Sequence, residues 1–274
     1  MSYKAILVHA ESNLSAAPRL DAAAALAKDH DATLIGVGAE MFDWIGVSDP
    51  YGIMAADWMS VMRDQMEVDL AAAKARFVKA AGEVSHEWVE LMMPPVPALA
   101  ALARAADLIV AGGAPLNDNA AERTASAADL VMRCGRPVLV APPGGGHLKG
   151  RNIVVAWKDS RESRRALTDA LPLLKRAETV LILAICGKDG LPDGEAEVAD
   201  VARHLQRHGI AAKTRTKVAE PSRVAMELNI AAQGIDADLI VCGAYGHNRL
   251  QEWVLGGVTY DLLHQPERFV LFSH

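Results

Sequence analysis

The chain has 274 residues, 51% of them apolar, with 28 basic and 34 acidic side chains and a net charge of −6 at neutral pH. That length fits one large domain or two of about 135 residues. The acidic balance and the lack of a long basic run exclude a nucleic-acid or anionic-membrane surface as the main partner, which leaves a small molecule or another protein. Cys134, Cys186 and Cys242 are odd in number, lie in apolar surroundings and form no C-x-x-C pair. They read as buried reduced thiols rather than a disulfide framework or a zinc site. No apolar run reaches the length of about 18 residues that a membrane span needs, and "MSYKAILVHA" carries no cleavage-site pattern, so a cytoplasmic location is expected.

From the N-terminus, "KAILVHAESNLSAAPRLDAAAALAKDHDATLIGV" (4–37) reads as an apolar strand, a polar loop, a long amphipathic helix and a second apolar strand. An insertion follows, Met41 to Glu67, ahead of the second helix. It carries Met41, Trp44, Met54, Trp58, Met59, Met62 and Met66. It reads as a flap completing the core or the contact between domains, and alternatively as a soft surface for an apolar ligand or partner. "ADLIVAGG" (106–113) is the next strand with its glycines, and "ADLVMRCGRPVLV" (128–140) a helix and closing strand. "APPGGGHLKG" (141–150) has the proline and glycine content of a linker.

Beyond it the succession begins again. Asn152 to Trp157 is a continuous apolar strand, and Ser160 to Ala177 a helix with a stripe of Ala166, Leu167, Ala170, Leu171, Leu173 and Leu174. Thr179 to Ile185 is a strand, Gly194 to His208 a helix, Ala211 to Val218 a strand, and Ser222 to Gln233 a helix with Ser222 as its cap. Asp238 to Cys242 is a strand, Leu250 to His264 a helix, and Arg268 to Phe272 the last strand. "ADLIVCGA" (237–244) repeats "ADLIVAGG", and "YDLLHQPERFVLF" (260–272) repeats "ADLVMRCGRPVLV". Continuous apolar strands separated by helices predict a parallel sheet covered on both faces. The expected fold is α/β: two doubly wound parallel-sheet domains in tandem, 1–143 and 151–274, joined by a linker over 144–150.

Gly243, Gly246, Gly256 and Gly257 form G-x2-G-x9-G-G directly after a strand, where backbone N–H groups can cradle an anion. The spacing is neither that of a P-loop nor G-x-G-x-x-G after a first strand. The repeat, the "IVVAWKDS…RRAL" opening and "DLIVCGAYGHNRLQEWVLGGVTYDLL" resemble the universal stress protein family in its tandem two-domain form, over nearly the whole chain. That resemblance implies a fold similar to adenine nucleotide α-hydrolases and, in some members, ATP or AMP at this loop; other members bind no nucleotide. Members dimerise through the last strand, and no single reaction defines the family.

Carried over by position, Gly243, Gly246 and Gly256 match the family's G-x2-G-x9-G-[ST], and Gly257 replaces its hydroxyl residue. Cys242 and Val258 flank the motif at the sugar and phosphates. Ala156 and Trp157 would line the adenine pocket, Ile185 would contact the base through its backbone, and Lys158 stands where binders carry an Asp, with Asp159 one residue later. Lysine can hold phosphate as a point charge but cannot accept ribose hydrogen bonds. Arg249, inside the loop, is the side-chain candidate for a phosphate contact. No metal is expected beyond a nucleotide-associated Mg. The first copy has Pro115 at the second glycine's position, which offers no N–H, so its loop is expected not to hold a triphosphate.

His204 and His208 lie at metal-binding spacing, but a solvated helix face explains them. His9 with Glu11 suggests acid/base work, against which stand a packed strand-end histidine and the lack of a nucleophile. The expected function is binding: an adenine nucleotide in the C-terminal half, with the repeats packed as a pseudo-dimer through "PVLVA" and "RFVLF", and a homo-oligomer or protein partner beyond that. The alternatives are a slow nucleotide phosphohydrolase using Asp159, and a nucleotide-free interaction module.

Overall fold

The computed structural model describes residues 2–13, 16–41, 53–113, 124–244, 257–264 and 266–274. In the N-terminal half, strands β1 (Ala5–His9), β2 (Thr33–Ala39), β3 (His86–Leu91), β4 (Leu108–Gly112) and β5 (Val138–Ala141) alternate with helices. These are α1 (Ala17–His30), α2 (Ile53–Ala81), α3 (Pro95–Leu102) and α4 (Ala127–Arg133). The C-terminal half repeats the plan with β6 (Asn152–Trp157), β7 (Thr179–Cys186), β8 (Ala212–Val218), β9 (Leu239–Gly243) and β10 (Phe269–Ser273). Its helices are α5 (Arg161–Asp169), α6 (Leu171–Leu174), α7 (Leu191–Arg207), α8 (Val224–Gly234) and α9 (Gly257–His264).

Among the described residues the ten strands form one sheet, in the order β3-β2-β1-β4-β5-β10-β9-β6-β7-β8. Every neighbouring pair is parallel except β5 and β10, which run antiparallel with Val140 opposite Val270, Leu139 opposite Leu271 and Val138 opposite Phe272. The two halves therefore meet strand to strand at the middle of the sheet. Each of these apolar side chains is buried. A parallel strand needs a crossover helix, and the period of two sends alternate residues to opposite layers. One layer holds α1, α2, α5, α6 and α7 against residues such as Ile6, Val8, Val155 and Leu271. The other holds α3, α4, α8 and α9 against Leu7, Val140, Ile240 and Phe272.

The repeated "ADLIV" has a structural reason in both copies. Asp107 accepts the backbone N–H groups of Lys4 at 2.7 Å and Ala5 at 3.1 Å, and Asp238 accepts that of Gly150 at 2.9 Å. Each aspartate thus anchors the chain as it enters the first strand of its own half. The 144–150 segment is also tied down. Leu148 is buried, His147 Nε2 lies 2.7 Å from Asp29 Oδ2, and Gly145 adopts φ +62 with its Cα face against Pro18, where a side chain would not fit.

Several boundaries differ from the sequence expectation. The helix expected over 160–177 is interrupted at Ala170, because Pro172 has no N–H to continue the ladder, and resumes as the short α6. Ser222 is no cap: it lies within a 3-10 turn, Pro221–Arg223, and α8 starts after Arg223 without a side-chain cap. The helix expected from Gly194 begins at Leu191, with Pro192 in its first turn, where a missing N–H costs nothing. The insertion read as preceding the second helix is, from Ile53 onward, part of it: α2 runs 29 residues. Within it Met66 is buried against the core while Met59 is exposed; Trp44 lies outside the described residues. Among the described residues no helix is long and apolar enough to cross a membrane.

Candidate functional site

In an open parallel sheet the carboxyl ends of two strands part where the connections reverse direction, and loops on either side leave a crevice. The strand order places one such point between β6 and β9, and its counterpart between β1 and β4. In the C-terminal half Val155 pairs with Val241 and Ala156 with Cys242, so Trp157 and Gly243 stand at the crevice edge.

A helix N-terminus reaches this edge. α5 begins there because Ser160, directly after the β6 edge, caps it: Ser160 Oγ accepts from Ser163 N at 3.2 Å. Gly243 is what lets that first turn approach. A Cβ on residue 243 would lie 2.6 Å from the backbone of Glu162 and Ser163. The last helix, α9, opens at Gly257 and Val258, at the far end of the glycine segment, and leads into β10, the parallel neighbour of β9. A helix N-terminus presents unpaired N–H groups and a positive dipole end, so the edge favours negative charge.

The expected site residues distribute over both sides of the sheet. Ala156, Ile185 and Cys242 belong to the α8–α9 layer. Burial pushes the Cys242 thiol up to about 12, so it stays neutral and serves as an apolar wall. Trp157, one residue from Ala156, packs in the opposite layer with α5 and α7. It is buried, and among the described residues its indole N–H makes no direct hydrogen bond. Burial and then the nearby Asp159 push the carboxyl of Glu197 on α7 up, against a lowering contribution from the Trp157 indole. The structure therefore does not bring Trp157 to the same wall as Ala156, Ile185 and Cys242. Lys158 is exposed beyond β6, and Asp159 is engaged in an exposed ion pair with Arg164. Gly246, Arg249 and Gly256 lie outside the described residues, as does Pro115 of the first copy.

Two features escaped the sequence reading. One is the contact of α5 with Gly243, whose only sequence signal is the Ser-x-x-Ser cap after a strand. The other is in the N-terminal half. There the β1 end carries a buried cluster, with Arg19 of α1 donating to the His9 carbonyl at 3.1 Å and to Glu11 Oε1 at 2.8 Å. Arg19 takes the place beside Gly112 that the α5 backbone takes beside Gly243. His204 and His208 stack edge to face 4.9 Å apart on α7, and among the described residues no group of three His, Cys, Asp or Glu could hold a metal ion.

This geometry defines a class: a doubly wound α/β unit written twice, joined through its last strands, with a ligand crevice at each reversal of strand order. Residues 150–272, the C-terminal half, match the model of the universal stress protein family, and the N-terminal half repeats the fold. The whole chain is similar in structure to a universal stress protein from Archaeoglobus fulgidus, with TM-score 0.72 and 16% identity, covering 98% of this chain and 97% of that one. It is also similar to a protein of unknown function from Pseudomonas aeruginosa, with TM-score 0.60 and 17% identity, covering 99% and 92%. No curated protein sequence matches the chain.

Proposed function

We propose that this tandem universal stress protein acts by binding, with an adenine nucleotide, ATP or AMP, as the ligand of its C-terminal half. The observation that carries the reading is the α5 N-terminus, capped by Ser160 and packed on Gly243 at the carboxyl end of β9, where the G-x2-G-x9-G-G segment begins; that segment ends at Gly257, the first residue of α9. Ala156, Ile185 and Cys242 supply an apolar wall on one side for a planar base. Gly246, Gly256 and Gly257 would offer N–H groups to phosphate, Lys158 and Arg249 positive charge, and a nucleotide-associated Mg would need no further protein ligand. The donors match phosphate, and the walls match an uncharged ring.

Catalysis draws no support from the same edge. Asp159, the carboxylate nearest the expected phosphates in sequence, is exposed and paired with Arg164, a poor setting for a general base. A stress-regulatory role through a second copy or a partner protein accords with the binding reading.

Calorimetry and thermal shift with ATP and with AMP test it. Binding that raises the melting temperature and is lost in Gly246→Val supports the proposal. No heat and no shift at millimolar nucleotide would overturn it.

A further inference from the structure

The N-terminal loop was expected not to hold a triphosphate because it carries Pro115. The crevice floor of that half is nevertheless the most polar buried place among the described residues. Val8 pairs with Val110 as Val155 pairs with Val241, so His9 occupies the place of Ala156, and Glu11 that of Lys158. Both are buried, at 2% and 4% exposure.

Glu11 is saturated. Its Oε1 receives His9 Nδ1 at 3.1 Å and Arg19 Nη2 at 2.8 Å, while its Oε2 receives Asn13 Nδ2 at 2.7 Å and Thr124 Oγ1 at 3.3 Å. An ionised carboxylate only accepts, so the proton on a neutral His9 ring belongs on Nδ1. Nε2 is then a bare acceptor. It is buried and finds no partner among the described residues. Tying α1 to β1 explains Glu11, Asn13 and Arg19, but not the imidazole: the C-terminal half does without one, using Ala156 at the same register.

We infer that the N-terminal crevice is a second ligand site, chemically unlike the first, in which His9 Nε2 accepts a hydrogen bond from a hydroxyl or N–H group of an uncharged small molecule. The charge of Arg19 is cancelled by Glu11, so the floor offers neither a free cation for phosphate nor a free anion for an amine. What it offers is one oriented acceptor at the carboxyl end of β1, where open sheets bind ligands. Phosphate and carboxylate groups, which lack donors when ionised, are excluded beside Glu11. The two halves thus divide the chemistry, with phosphate expected at the C-terminal edge and a neutral hydrogen-bond donor here.

The experiment is long-range ¹H–¹⁵N imidazole spectroscopy on the full ¹⁵N-labelled chain. The His9 signals are assigned among the nine histidines by their loss in His9→Phe, with glycerol, D-ribose and adenosine as uncharged probes and AMP as the charged comparison. The expected result is a protonated Nδ1 and an unprotonated Nε2 whose resonance moves with at least one uncharged probe. The same probe raises the melting temperature, an effect lost in His9→Phe and kept in Gly246→Val. The inference is overturned by a proton on Nε2 in the free protein, by an Nε2 resonance that none of the three probes moves, or by a stabilisation that persists in His9→Phe. Should His9→Phe fail to fold, His9→Gln provides the assignment and the wild-type Nε2 shift decides.

Discussion

The Tyr3 hydroxyl donates to the carbonyl oxygen of Asp169 at 2.7 Å, closing a hydrogen bond between the segment ahead of β1 and the end of α5 in the other half. The Asp169 carboxylate in turn receives Ser273 Oγ of β10 at 2.9 Å. Tyr3 is 4% exposed, so removing its hydroxyl leaves a carbonyl short of a partner. Tyr3→Phe is expected to cost about 1 kcal/mol, read from the urea midpoint. Because β5 and β10 share one ladder, both halves should unfold in a single transition in this variant as in the wild type; two separated transitions would show that the seam does not couple them.

Gly243 is needed by packing whether or not a ligand binds. In Gly243→Ala the new methyl meets the Glu162 and Ser163 backbone at 2.6 Å, with no flexible side chain to give way. A loss of about 1–3 kcal/mol is expected in thermal denaturation without nucleotide. Gly187→Ala, where nothing lies within 4 Å, should stay within about 0.5 kcal/mol of wild type.

Glu11 sets an acid limit on stability. Burial raises its pKa, but the His9 hydrogen bond and the Arg19 charge outweigh burial and lower it from 4.5 to about 2. A depressed carboxylate stabilises the fold above its unfolded value and loses that contribution as pH falls through the folded one. A loss of about 3 kcal/mol is expected between pH 4.5 and 2, and Glu11→Gln should flatten that slope in pH-dependent urea titrations.

His30 acts in a higher window. Burial, then Arg176, lowers its pKa from 6.5 to about 4, while its ring lies 5.0 Å from that of Tyr3. For a base so depressed the neutral form belongs to the fold, so stability is complete above 6.5 and declines as pH falls toward 4. Replacing it, as in His30→Phe, should remove the decline between those values and leave the Glu11 limit in place. An unchanged slope in urea titrations would exclude His30 as its source.

The thiols should divide by burial. Cys242 is pushed up to about 12 and Cys134 to about 11, both by burial. Titration with Ellman's reagent at neutral pH should leave Cys242 unlabelled until denaturant is added, and Cys134 slow. Fast labelling of Cys242 in the native protein would mean that the apolar wall of the C-terminal crevice opens readily.

Residues near in sequence carried most of the legible information. The alternation of strands and helices, the two-fold repeat and the glycine spacing all rest on periodicity and turn chemistry that act within about twenty residues. Helix ends were less legible, since Pro172 and the 3-10 turn at Pro221–Arg223 redirect the chain through single residues. Trp157 and Ala156 illustrate a different loss. Adjacent in the chain, they enter opposite layers because a strand alternates its side chains, and which layer meets the ligand depends on where the helices cross.

By itself the sequence determined that this protein is two copies of one α/β plan with an anion-compatible loop in the second. Only the tertiary structure decided what those parts do to each other. Joining β5 to β10 makes one sheet of two halves, α5 rests on Gly243, and Glu11 gathers His9, Asn13, Arg19 and a Thr124 that lies 113 residues away. The physical reason is that periodicity encodes which face of an element is apolar. A charge, a missing Cβ or a bare imidazole nitrogen takes its meaning from distant groups that the fold alone brings within a few ångströms.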